Sequence, residues 1–240
     1  MDKLAPSPLD PLAAAVANRL HAQSKKQIIG SVPAIGRRMA VSLLRERTID
    51  FTQGEEGKRF VADKLVAIAP AKAALIHMLA RSIGATRIVE AGTSFGVSTI
   101  YLAAAVRDNL AEGEAGNGER GVVIGTEHEP AKVQRALRNL REAGVGDYVE
   151  IREGDLRETL RDLDGPIDFM LVDIWTPMAL PALELVTPHL RPGALVVCDN
   201  VVGAATAYRE YLGFVRDPDG PFTSVTVPGN GGLEISRKRG

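Results

Sequence analysis

The chain is poor in several residue types. Of its 240 residues one is a cysteine and one a tryptophan, and 5% are aromatic. A lone cysteine, Cys198, excludes an internal disulfide and predicts a reducing, cytoplasmic setting. Neither sign of charge dominates: 29 Lys and Arg face 30 Asp and Glu, for a formal net charge of −1. No global field therefore favours nucleic acid or an anionic membrane, and the terminal SRKRG is too short to supply one. No apolar run approaches the roughly 18 residues that a membrane-spanning helix needs. The opening MDKLAPSPLDPLAAAVANRL carries an acid at position 2, early prolines and only a short apolar run, so no secretory signal is expected there.

What remains suits one large α/β domain, with 45% hydrophobic and 25% charged residues. Residues 1–10 are Pro-rich and expected to be loose. Helical spacing runs from Pro11 to about Leu44, with a break near Ser31–Pro33, and over 57–82, with a break around Pro70. After Gly84 strands and helices alternate. Strands are expected at 87–91, 122–127, 148–154, 167–173 and 194–200, with helices over 97–107, 130–142, 178–189 and 204–213 and a short one through Leu160. The ending FTSVTVPGNGGLEISRK reads as a hairpin, and EGEAGNGERG (112–121) as a flexible surface loop. This order predicts a mostly parallel, Rossmann-like sheet covered by helices on both faces, with one antiparallel terminal strand. Residues 61–240 would form that domain, and 1–60 a helical arm ahead of it.

In such sheets ligands bind beyond the carboxyl ends of the strands. Every one of the five parallel strands ends at or next to an acid. VEAGTSFGVST carries Glu90, then a turn from Gly92 to Gly96 that opens a helix. Its glycines let a ligand approach the backbone. An acid ahead of the turn repels a pyrophosphate and suits a cationic or zwitterionic ligand. IGTEHEP carries Glu127, able to accept both hydroxyls of a ribose, with Glu129 fitting a helix-start acid. EGDLRE carries Gly154 and Asp155, for which adenine contact and helix capping both stay open. LVDIWTP and VVCDNVV carry Asp173, Asp199 and Asn200 on neighbouring strands. These are hard oxygen donors able to hold Mg²⁺, or alternatively caps of the following loops. Cys198, His21, His77 and His189 read as packing or surface residues.

Taken together, these tips resemble the class I S-adenosylmethionine-dependent methyltransferases, and more narrowly the metal-dependent O-methyltransferases of the catechol and caffeoyl-CoA type. The resemblance covers about residues 60–240, through LRPGALVVCDNVV and VPGNGGLEISRK. It implies a seven-stranded sheet with the last strand antiparallel. It also implies that Ile68, Glu90, Gly92, Ser94, Gly96 and Ser98 line the methionine and ribose part of the cofactor. Glu127 would bind the ribose, and Gly154, Asp155 and Leu156 the adenine end. Asp173, Asp199 and Asn200 would hold a divalent cation such as Mg²⁺, with Asp173 also beside the cofactor and Trp175 against an aromatic acceptor. The chain departs from the family where catechol-type members place a lysine base: that position is Thr176, whose neutral hydroxyl cannot take a proton at pH 7.

The function implied is methyl transfer from S-adenosylmethionine to a hydroxyl of a small aromatic molecule. The alternatives are a metal-independent small-molecule methyltransferase and a cofactor-binding protein that has lost catalysis. A nicotinamide oxidoreductase would need a Gly-x-Gly-x-x-Gly turn, which is absent. The apolar GSVPAIGRRMAVSLL predicts a homodimer through the arm.

Overall fold

The computed structural model describes residues 7–46, 65, 67–113 and 121–240; of residues 28 and 31–46 it gives the helical backbone course alone. Residues 114–120 of the loop predicted at 112–121 and most of the segment between arm and domain lie outside the described residues.

Helix α1 (Pro11–Glu46) leads, followed by α2 (Pro70–Ser82) and strand β1 (Arg87–Ala91). Then come α3 (Val97–Ala111), β2 (Val122–Glu127), α4 (Pro130–Glu142), β3 (Val149–Glu153) and the short α5 (Leu156–Thr159). The chain continues through β4 (Ile167–Val172), α6 (Thr176–Val186), β5 (Leu190–Asp199), α7 (Arg209–Arg216), β6 (Phe222–Val227) and β7 (Leu233–Lys238). The strands form one seven-stranded sheet in the order β3-β2-β1-β4-β5-β7-β6. β1 to β5 pair in parallel, and β7 runs antiparallel to both β5 and β6. The mostly parallel sheet with an antiparallel last strand is as the sequence predicts. Chain progression reverses between β1 and β4, so the crevice for a ligand opens beyond their carboxyl ends.

Alternation along the central strands feeds two apolar clusters, one on each face. Ile88, Phe169, Leu171 and Val197 join α1 to α4 on one side. Val89, Met170, Val172, Val196 and Cys198 join α6 and α7 on the other. All six residues of β4 are buried, which explains its apolar sequence; its one acid, Asp168, is held by the amides of Thr86 and Arg87 and by the Arg191 guanidinium. Burying each large side chain contributes about 1.5–3 kcal/mol. Leu9, Ala13, Val16, Ala17 and Leu20 belong to the first cluster, so the front half of α1 packs on the domain. Arg19 pairs with Glu142 and Arg107 with Asp10 across that contact. Among the described residues no helix is long and apolar enough to cross a membrane.

The helices expected over 97–107 and 178–189 run over Val97–Ala111 and Thr176–Val186, and three further boundaries differ from the sequence expectation for a visible reason. α1 continues through Ser31–Pro33 where a break is predicted; a proline deletes one N–H donor and can leave the rest of the ladder intact. β5 starts at Leu190, earlier than expected, because Arg191–Ala194 are taken up by a register shift against β4 between Ile167 and Phe169. The helix expected at 204–213 starts at Arg209 instead. Val202 N and Gly203 N both donate to Gly231 O, at 2.8 and 2.9 Å, and this ties the segment to the β6–β7 turn before a helix can form.

Candidate active site

β1 delivers Glu90 to the crevice in full burial. Its Oε2 accepts hydrogen bonds from Thr93 and Thr99 hydroxyls, while Oε1 is buried with no partner. Burial pushes the Glu90 carboxyl up, against the hydroxyls of Ser98, Thr99 and Thr93 and with the Glu127 charge. Gly125, paired with Glu90 in the sheet, is what lets Thr93 fold over it: a Cβ there would lie 2.3 Å from Thr93 Oγ1.

The turn after β1 enters left-handed backbone three times. Gly92, Ser94 and Gly96 all have positive φ, at 99°, 50° and 82°. A Cβ on Gly92 would lie 2.1 Å from the Asp173 carbonyl oxygen, because Asp173 N donates to Ala91 O at 3.0 Å and draws the two tips together. Ser94, a non-glycine in the left-handed region, is held by its N–H on Glu127 Oε2 at 2.9 Å. Gly96 begins α3 without any side-chain cap, so the first amides of that helix remain open to a ligand.

The second and third tips are linked. Glu127 Oε1 accepts from Glu129 N at 2.9 Å, which fixes the carboxylate at both oxygens, and Gly154 N donates to Glu127 O at 3.0 Å. Asp155 caps α5, accepting from Arg157 N at 2.9 Å, so the capping alternative is realised. The Arg157 guanidinium and amide hold the half-buried Asp155 carboxyl low, at about 2. Leu156 and Ile68 are buried beneath the crevice rim.

At the fourth and fifth tips stand Asp173, half-buried, and Asp199, which is 4% exposed. Burial, then the charges of Asp199 and Glu90, raise the Asp173 carboxyl to about 7, with Lys72 opposing. Three acids therefore share one field at the point where strand order reverses. Trp175, half-buried, precedes α6, and Thr176 opens that helix. Thr176 and Pro177 line a hollow of about 360 Å³ with Thr206, Ala207, Arg209 and Glu210. His77 is buried with Nδ1 2.9 Å from Tyr101 O, and Cys198 is buried, so both act in packing.

Lys72 is the residue the sequence reading missed. Its Nζ pairs with Asp199 Oδ1 and lies 3.4 Å from Gly232 O. Asp199 Oδ1 also accepts from Asn200 N at 2.7 Å. One signal was available: Lys72 shares the buried face of α2 with Ala73, Ile76 and Ala80, where a lysine needs a partner. Asn200 is exposed, at φ 64°, with its Oδ1 packed so closely on Gly231 that a Cβ there would lie 2.6 Å away. Of the three expected oxygen donors Asp199 is thus already paired with Lys72, and the ammonium standing on that carboxylate opposes a divalent ion there. Among the described residues no three His, Cys, Asp or Glu side chains form a metal-holding group.

The Asp173 shift has a consequence for stability. A carboxyl whose folded value is raised binds its proton more tightly folded than unfolded. Its contribution is full below the unfolded value near 3.8 and is lost as pH rises through about 7. The unliganded protein should therefore melt lower at pH 8 than at pH 5.5, and Asp173→Asn should flatten that slope. Melting curves across this range check it; equal slopes in both proteins would contradict it.

A parallel sheet of this order, an acidic first turn unsuited to phosphate and a set of acids at the switch point together define the methyltransferase class. A methyltransferase domain model matches residues 89–201. A catechol O-methyltransferase of Mycobacterium tuberculosis is 33% identical over 138 residues, covering 57% of this chain and 58% of its own. A chain assigned as an O-methyltransferase in Mycolicibacterium vanbaalenii is 30% identical over 219 residues, covering 82% of this chain and 83% of its own. The crystal structure of cofactor-bound Rv0187 from MTB superposes with a TM-score of 0.62 at 28% identity, over 72% of this chain and 82% of that one. The chain belongs to the class I S-adenosylmethionine-dependent O-methyltransferases of the catechol and caffeoyl-CoA type. It spans under two thirds of the length of the catechol O-methyltransferases it matches.

Proposed function

We propose that this protein transfers the methyl group of S-adenosylmethionine to a hydroxyl of a small aromatic acceptor, without a bound divalent metal. The buried, unpartnered Oε1 of Glu90 carries the cofactor half of this reading. A buried acceptor atom without a hydrogen-bond partner is a place for a ligand's donor. A zwitterionic, sulfonium-bearing nucleoside brings an ammonium, ribose hydroxyls and positive charge to a crevice of three acids. The residues therefore fit the cofactor.

When bound, that cofactor supplies an electrophilic methyl group. The rest is the work of the chain. Glu90 and Ser98 hold the amino acid end, with Ile68 against it and Gly92, Ser94 and Gly96 giving backbone access. Glu127 accepts from the ribose, and Leu156 packs at the adenine with Gly154 and Asp155 at the rim. Asp173 lies between cofactor and acceptor, and Trp175 forms a wall for an aromatic ring. Thr176 stands at the acceptor mouth and contributes a hydrogen bond, not a base. The sequence expectation of Mg²⁺ at Asp173, Asp199 and Asn200 would require Lys72 to leave Asp199, and the buried ammonium supports the metal-independent alternative instead. The expected pairing of two copies falls on residues 30–44, whose side chains from 31 on lie outside the described residues.

The test is a calorimetric titration of S-adenosylmethionine into wild type and Glu90→Gln. We expect one site in wild type and affinity weaker by about 10- to 100-fold in the variant, the range for losing a charged hydrogen bond in a buried site. Absence of binding to wild type would overturn the reading.

A further inference from the structure

Lys72 occupies a position where a lysine is rare. Its side chain is 8% exposed and shares the apolar face of α2. Removing an ammonium from water costs several kcal/mol and persists only with strong partners. Its partners among the described residues are the Asp199 carboxylate and Gly232 O. An ammonium has three donors, so one N–H is left for a further acceptor. Val172 pairs with Cys198 in the sheet, which sets the Asp173 and Asp199 tips side by side, and the Lys72 charge opposes the rise of the Asp173 carboxyl.

We propose that Lys72 is the resident cation of the acceptor site, a tethered ammonium in place of a divalent ion, and that it grips the acceptor through a single oxygen. The inference rests on the methyltransferase reading above and deepens it. A divalent ion with open positions grips two adjacent oxygens. An ammonium with one free N–H grips one. The substrate class that follows is a phenol with one hydroxyl, for which a second, vicinal hydroxyl brings no advantage. In the step itself, the hydroxyl proton passes to water and the phenolate oxygen accepts the Lys72 N–H. That oxygen then forms a bond to the methyl carbon while the carbon–sulfur bond breaks, and the bonding pair stays on sulfur. Lys72 keeps its proton throughout and touches the reacting oxygen, which makes it a catalytic residue.

Manganese binding, followed by electron paramagnetic resonance on the EDTA-treated full chain, tests the cation directly. Wild type should take up no Mn²⁺ at tens of micromolar. Lys72→Met, which keeps the stem and removes the charge, should bind at least about tenfold more tightly, and adding Asp199→Asn should abolish that gain. Wild type binding Mn²⁺ as tightly as Lys72→Met would overturn the proposal, as would a folded Lys72→Met that binds none. If Lys72→Met fails to fold, Lys72→Gln replaces it, and Mn²⁺ uptake by wild type remains decisive alone. In the activity arm, EDTA should leave wild-type turnover of a monohydroxylated phenol unchanged, and Lys72→Met should lose about 100-fold in kcat, the scale of one electrostatic donor. Rescue of EDTA-treated wild type by Mg²⁺, or turnover confined to vicinal diols, would overturn it. S-adenosylmethionine binding on the same samples separates this failure from failure of the methyltransferase reading.

Discussion

Alanine at Gly92 should abolish S-adenosylmethionine binding and lower the melting temperature by about 10 °C, for a loss of roughly 3–5 kcal/mol. Two independent effects add at this position. The backbone stands at φ 99°, where any Cβ is strained, and that Cβ would lie 2.1 Å from the Asp173 carbonyl oxygen. Backbone cannot swing aside as a side chain does. Relief requires parting the tips of β1 and β4, and Asp173 N on Ala91 O holds them together at 3.0 Å. Circular dichroism melting and calorimetry read both losses. A variant that melts and binds like wild type would show that the two tips are not rigidly joined.

The second large effect concerns the buried ion pair. Asp199→Leu leaves the Lys72 ammonium without its carboxylate and should destabilise by about 3–5 kcal/mol. The double variant Lys72→Met, Asp199→Leu removes both charges and should recover at least half of that loss. The outcome separates a paired ammonium from an ordinary surface lysine, whose pair contributes about 0–1 kcal/mol. Denaturant unfolding of wild type, both single variants and the double variant closes the cycle. Additive single effects would mean that the two side chains do not interact in solution.

The physical reasons for what could be read beforehand are local. β4 announced itself because burial on both faces demands a largely apolar run, and IDFMLV breaks it only at Asp168. The hairpin was legible because PGNGG can close nothing else. The tips were legible because five acids at strand ends exceed what capping explains, and the structure gathers Glu90, Asp173 and Asp199 into one field. What escaped was non-local. Lys72 lies 127 positions from Asp199, and no pattern in either segment names the other. Asp155 is the local exception: the sequence left two roles open, and the structure shows the cap on Arg157 N. The late start of α7 depends on Gly231, which accepts from Val202 and Gly203 across the loop. Sequence periodicity carries no information on such a tether.

The central claim is methyl transfer to a phenolic oxygen with Lys72 as the cation. One measurement addresses it most directly: label transfer from methyl-labelled S-adenosylmethionine to a panel of small phenols, in excess EDTA. The expected result is label in the acceptor oxygen of monohydroxylated phenols, with one S-adenosylhomocysteine formed per methyl. Label that reaches no phenol in the panel, or reaches one only after Mg²⁺ is restored, would contradict it.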